Sequence, residues 1–364
     1  MSAKRFLGTL SLLVLTGCPY TEGCEGGGSS PSTETAPSTP DGGAQQNDPD
    51  AQANDPTNPG TDGGAPTGPN KPNCADLTAK CGGESCCTAA NVPGGSFNRL
   101  NDAAFPATVS DFRLDKYEVT VGRFRAFVNA GKGTKKSAPA EGAGAHPKIP
   151  GSGWTAAHTA MLPDDSPSLA DAVKCDPALY NAYNDTAGSN DSLPMNCVTW
   201  AESQAFCIWD GGRLPTETEW NYAAAGGIEQ RQYPWGTTSM DNTRGAWGCQ
   251  SGDSIAEPGA PLCKFSDYTA VGTHPAGAGK WGHMDMAGGV WERVLDSYNE
   301  PFPTTPCNDC AETAIVPAGT VIRGGGLNWA SSYLRTSDRS LVNSEPHETR
   351  TNTVGFRCAR ATVP

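Results

Sequence analysis

Hydrophobic and polar positions alternate along FRLDKYEV (residues 112–119), the period of a half-buried strand. The period then lengthens. After Thr120, Phe124, Phe127 and Val128 share one face of a helix expected over residues 121–130, with Thr120 as cap and Gly131 as stop. Thr199 and Glu202 form a capping box, and Ala201, Ala205 and Ile208 recur at helical spacing up to about Asp210, where Gly211 and Gly212 end the run. Thr216 and Glu219 open a further helix with Trp220, Ala223 and Ala224 inward, and Gly226 and Gly227 close it. VPGGSF (residues 92–97) reads as a strand end and turn. Residues 132–192 carry no clear period and are rich in Gly, Ala, Pro, Asp and Asn, so a long surface loop is expected there. Toward the end, a short β-branched run enters Gly324, Gly325 and Gly326, the pattern of a strand leading into a backbone-crowded turn. Arginines at 323, 335, 339, 350, 357 and 360 accompany it, and VGFRC (354–358) ends it as a strand carrying a cysteine. Many Gly and Pro with abundant Trp support a globular, loop-rich chain.

The first 73 residues follow other rules. Lys4 and Arg5 precede an apolar stretch too short to span a bilayer, and Leu15, Thr16 and Gly17 lead into Cys18. Residues 1–18 are therefore expected to be a lipoprotein signal peptide with lipid attached at Cys18; an ordinary cleaved secretory peptide is the alternative. Pro19 gives no reason for retention in an inner membrane, so an outer-membrane anchor in the cell envelope is expected. Residues 19–73 form a low-complexity stretch that lacks the apolar surface needed to offset the entropy of ordering, and read as a disordered tether. Its reach is ~40 Å by random-coil scaling. Seven acids against one base between residues 24 and 73 carry much of the formal charge of −13. That charge argues against nucleic acid as a partner and selects no other.

Of 14 cysteines, Cys18 and Cys24 stand apart; the other twelve are an even number in an exported chain, which predicts disulfides. Cys74, Cys81, Cys86 and Cys87 would staple a small segment over residues 74–88, their pairing left open. Elsewhere the favoured pairs are Cys175–Cys197, Cys207–Cys358, Cys249–Cys263 and Cys307–Cys310. Zinc is the competing reading for the first cluster and for Cys307/Cys310, although no second CxxC and no histidine at ligand spacing accompanies them.

Several of these stretches, in this order, resemble the formylglycine-generating enzyme (sulfatase-modifying factor) family: DGGRLPTETEWNYAAAGG (210–227), YPWG (233–236), MDMAGGVWE (284–292), RGG (323–325) and VGFRC (354–358). The resemblance covers about residues 90–362 and implies an α+β, irregular and loop-rich fold similar to the C-type lectin fold. Cys207 and Cys358 fall at the positions of a disulfide in exported members. Asp285, Gly288, Val290 and Glu292 fall on a calcium site, and two carboxylates with two backbone carbonyls from one tight turn suit that hard ion in a structural role. The alternative is Glu292 paired with an arginine.

In catalytically competent members two cysteines five residues apart follow the Arg-Gly-Gly-Ser stretch and hold copper(I), for which soft thiolates select. On this chain the pattern puts Gly326 at the serine, Trp329 at the first cysteine and Leu334 at the second, and none supplies its predecessor's atoms. No cysteine occurs between 310 and 358, the five histidines are scattered, and neither HExxH nor GxSxG is present. Copper is not expected. The leading expectation is a binding or structural module taking an envelope peptide, glycan or protein at an aromatic pocket floor formed by Trp329, Leu334, Trp291 and Tyr333. An oxidase of the family working through an unrecognised site is the alternative.

Overall fold

The computed structural model describes residues 74, 77–175, 181–250, 263–300, 306–339 and 344–362. The expected signal peptide, Cys18, the tether and Cys24 lie outside them.

The chain enters through a hairpin of β1 (Lys80–Cys81) and β2 (Glu84–Ser85), stapled by Cys74–Cys87 and Cys81–Cys86. The hairpin packs on Tyr117, Val271 and Met284. Next come β3 (Ala89–Val92), β4 (Gly95–Asn98), β5 (Pro106–Val109) and β6 (Phe112–Asp115). The strand expected over residues 112–119 leaves its ladder at Asp115, whose carboxylate is claimed by Arg123 and Arg360. Thr120 accepts from the Arg123 amide and opens α1 (Val121–Asn129), and Gly131, at φ 69°, follows its end.

The stretch expected to be loop contains two short helices, α2 (Ala156–Ala160) and α3 (Ser166–Ala172). Asp165 caps α3 by accepting from the Ser168 amide, Pro167 sits in its first turn, and buried Leu169 anchors it. Val173, at its end, is buried beside Leu169, and two apolar residues are too few to set a period along the stretch. Helices α4 (Trp200–Trp209) and α5 (Glu217–Ala225) carry the capping boxes expected of them, and Gly226 ends α5 in the left-handed conformation.

The remaining strands are β7 (Trp291–Ser297), β8 (Cys307–Asn308), β9 (Thr320–Arg323), β10 (Ser344–Glu345), β11 (Val354–Phe356) and β12 (Ala359–Ala361). Among the described residues they complete sheets of order β10-β9-β7-β11, β12-β6-β3 and β4-β5-β8. β11 runs parallel to β7, with Phe356 opposite Arg293, while β12 runs antiparallel to β6, with Ala361 opposite Phe112. Residues 354–361 thus serve two sheets, and Arg357 and Cys358 are the joint between them. A core of Phe124, Phe127, Phe206 and Phe356 joins α1, α4 and β11, with Phe124 stacked on Phe206 at 5.7 Å between ring centroids. Each such ring contributes about 1.5–3 kcal/mol by burial. Cys207–Cys358 ties α4 to the joint after β11, and Cys175–Cys197, Cys249–Cys263 and Cys307–Cys310 complete the six disulfides.

Candidate functional site

β9 delivers the chain into Gly324 and Gly325, at φ 96° and 74°. This backbone has a packing reason: a Cβ on Gly325 would stand 2.6 Å from Leu334 Cδ1. Gly326 faces Trp291, and a Cβ there would lie 2.8 Å from Trp291 Cδ1. The turn continues through Trp329, whose amide donates to the Gly326 carbonyl at 3.0 Å. Trp329 meets Trp291 edge-on at 5.7 Å and Tyr333 at 4.8 Å. A single turn of helix over Ser331–Leu334 then drops Leu334 into the interior, where it is 1% exposed.

The residues expected to form a pocket floor, Trp329, Leu334, Trp291 and Tyr333, come together as one aromatic and aliphatic cluster. Trp291 and Leu334 are buried, and Trp329 and Tyr333 are half-buried at the surface above them. Tyr233 and Trp235 extend this face, stacked at 5.0 Å and held by paired amide–carbonyl bonds between Tyr233 and Gly236. Trp247 and Met240 join the same cluster. YPWG stood only as a family motif, and Trp247 carried no signal at all; their place on this face comes from the fold.

The surrounding frame is built from buried charge. Arg357 grips Glu292 with two bonds of 2.7 Å and donates to the Asp115, Lys116 and Met284 carbonyls. Trp220 Nε1 donates to the same Glu292 at 2.9 Å. Beside it Arg123 donates to Asp115 at 2.9 Å and to Asp210 at 2.6 Å, and Arg360 bridges those two carboxylates. Burial works to raise the Asp115 pKa, but the Arg123 and Arg360 charges outweigh it and hold the carboxyl below its usual range. Arg323 donates to the Thr336 carbonyl and lies over the Trp220 ring.

This frame does not suit the expected calcium. Both Glu292 oxygens are engaged by Arg357, and Asp285 Oδ2 accepts from the Gly272 amide at 2.6 Å. A cation shared by Asp285 and Glu292 would also face the Arg357 guanidinium. Among the described residues the two sets of three ligand atoms within 4.8 Å of one another contain neither of them. One of those sets includes the Cys249–Cys263 disulfide, and the other holds Asp115 and Asp210 in their arginine pairs. With Asp285, Gly288, Val290 and Glu292 the residues present therefore do not fit the ion. The ion pair of Glu292, weighed as the alternative, is the arrangement found. The surplus negative charge falls on buried Glu118, which accepts from the Val290 amide at 3.0 Å. Burial, then Asp285 and Glu292, raise its pKa well above its ordinary value. All twelve cysteines among the described residues are in disulfides, which leaves no thiolate there for copper(I).

The sequence matches the profile of the sulfatase-modifying factor enzyme 1-like domain over residues 76–362. It is 28% identical over 298 residues to the formylglycine-generating enzyme of Thermomonospora curvata, covering 74% of this chain and 91% of that one. It is also 28% identical over 304 residues to the inactive C-alpha-formylglycine-generating enzyme 2 of Mus musculus, covering 74% and 84%. Among solved structures, PvdO from Pseudomonas aeruginosa superposes with a TM-score of 0.46 at 18% identity, over 75% of this chain and 94% of that one.

Proposed function

This chain belongs to the sulfatase-modifying factor family, and from that premise we infer that it is a member without copper chemistry, serving as a binding or structural module of the cell envelope. The observation that carries the reading is the packing at Gly326. The family's serine there would press its Cβ to 2.8 Å from Trp291, and Trp329 and Leu334 fill the two thiolate positions with an indole and an isobutyl group. The substitutions fit one another: Leu334 packs against Gly325, and Trp329 against Trp291 and Tyr333. A family relative named as inactive, matched over most of its length, supports the reading.

The binding face in this proposal is the half-buried aromatic group Trp235, Trp247, Trp329 and Tyr333. Flat, partly exposed rings of this kind stack on sugar rings and on peptide side chains. The envelope setting rests on the lipid anchor proposed at Cys18. Incorporation of labelled fatty acid into the full chain, lost in Cys18→Ala, tests the anchor; equal labelling of the variant would remove it. For the chemistry, the full chain is loaded with copper and given a peptide containing Cys-x-Pro-x-Arg. The expected result is aldehyde formation no greater than in a protein-free control. Turnover above that control would return the chain to the oxidases.

A further inference from the structure

Cys307 and Cys310 close a ring with a sequence separation of 3, on an edge strand. Cys307 lies on β8 and is 3% exposed, whereas Cys310, just beyond the strand, is half-buried. Between them Asp309 adopts φ 44° and accepts from the Ser110 amide at 2.7 Å and the Ser110 hydroxyl at 2.6 Å, so the ring is held against the loop after β5. The Thr218 hydroxyl stands 3.5 Å from Cys307 Sγ and 3.8 Å from Cys310 Sγ. An Arg99 guanidinium N–H donates to Cys310 Sγ at 4.0 Å.

These groups share a cavity of about 80 Å³, lined by both cysteines, Arg99, Thr218, Glu217 and Asp296 among others. An open cleft of about 290 Å³, walled by Phe97, Pro106 and Ile228, shares Pro306 and Cys307 with this cavity. Ile228, at 77% exposure, is the most exposed large apolar side chain among the described residues. Both sulfurs therefore face a hydroxyl donor, one has a cation beside it, and an apolar cleft adjoins the pair. A cation and a donor near sulfur stabilise the thiolate, the form that takes part in exchange.

We propose that Cys307–Cys310 is a redox-active disulfide that exchanges with the dithiol of a partner polypeptide. A partner thiolate attacks the more exposed Cys310 Sγ, a new S–S bond forms, and the Cys307–Cys310 bond breaks. Cys307 leaves as a thiolate that the Thr218 hydroxyl can donate to, and it takes up a proton. The partner's second thiolate then attacks its own sulfur in the mixed disulfide and releases Cys310 beside Arg99. The partner dithiol has given up two electrons and two protons and become a disulfide; Cys307 and Cys310 hold both as thiols. A disulfide-bearing molecule reverses the steps. Asp296, fixed by the Glu217 and Glu312 amides, lines the same cavity; burial, then the Glu217 charge, push its carboxyl up to about 8, so it brings a proton to the site at neutral pH.

No copper enters this exchange, so it stands or falls apart from the reading of the aromatic face. The probe is the glutathione couple. The full chain is equilibrated in increasingly reducing glutathione buffers, alkylated, and each cysteine peptide is quantified by mass spectrometry. Cys307–Cys310 is expected to open while the other five described disulfides stay closed, at a rate roughly tenfold above the next to open. In Cys307→Ser, oxidised glutathione is expected to add at Cys310. Opening of the pair only together with or after the others overturns the proposal, as does a folded Cys307→Ser chain that takes up no glutathione. If that variant does not fold, the order of opening in the unaltered chain decides.

Discussion

Cys207–Cys358 and Cys307–Cys310 are the same covalent bond put to opposite physical uses. The first has a sequence separation of 151, is fully buried, and joins α4 to the joint between β11 and β12. Closing so long a loop in the unfolded chain stabilises the fold by about 5 kcal/mol in the chain-entropy model. The second spans a separation of 3 and removes little unfolded-chain freedom, less than about 2 kcal/mol by the same relation. It also has a half-buried sulfur beside a cavity. A bond that adds little stability and is open to attack is placed for exchange, and one that adds much and is sealed is placed for architecture.

The sharpest way to break this contrast is to remove each bond. Cys207→Ala with Cys358→Ala is expected to lose about 5 kcal/mol in denaturant titrations, enough to unfold a domain of ordinary stability. The frame around that joint should be almost as sensitive: Arg357→Ala leaves Glu292 charged and buried, a loss of about 3–5 kcal/mol by the same titration. An Arg357→Ala chain within 1 kcal/mol of the parent would mean the pair is solvated and the frame is not its charge network. Cys307→Ser with Cys310→Ser should lose less than about 2 kcal/mol and keep the native near-ultraviolet dichroism.

Smaller effects sharpen the picture. Asp296 holds its proton up to about pH 8 in the fold but releases it near pH 4 when unfolded. Between those values the native state binds more protons, so stability falls as pH rises from about 4 to about 8. Asp296→Asn does not titrate, and its thermal midpoint is expected to decline less steeply across that window; parallel profiles would show that the carboxyl ionises normally. Last, because Glu292 is committed to Arg357, a calcium chelator is expected to leave the melting temperature unchanged, and a downward shift would show an ion that displaces this pair.

Frame and face differ in how they could be read. The caps at Thr120, Thr199 and Thr216 involve groups three residues apart, so their amide bonds follow from local sequence, and the helices begin where those residues stand. The family motifs likewise name the residues of the frame. They do not name its bonds: Glu292 offered equally a calcium ligand and an arginine partner, and Arg357 lies 65 residues away. On the face, the loss of thiols between 310 and 358 is visible in the letters alone. The packing of Gly326 on Trp291 was not, because it depends on the room between residues 35 positions apart.

The sequence by itself determined what is local or a matter of inventory: the capped helices α1, α4 and α5, the glycine turn after β9, twelve cysteines beyond the tether, and no cysteine pair for copper. Tertiary structure alone decided what each charged or reactive side chain meets. It turned Glu292 to Arg357, brought Trp247 and Trp235 beside Trp329, and set Thr218, Arg99 and Asp296 around Cys307–Cys310. The physical reason is range. A cap or a turn is settled by groups within a few residues of each other, whereas the Arg99 to Cys310 contact spans 211 positions and exists only once the sheets between them are packed.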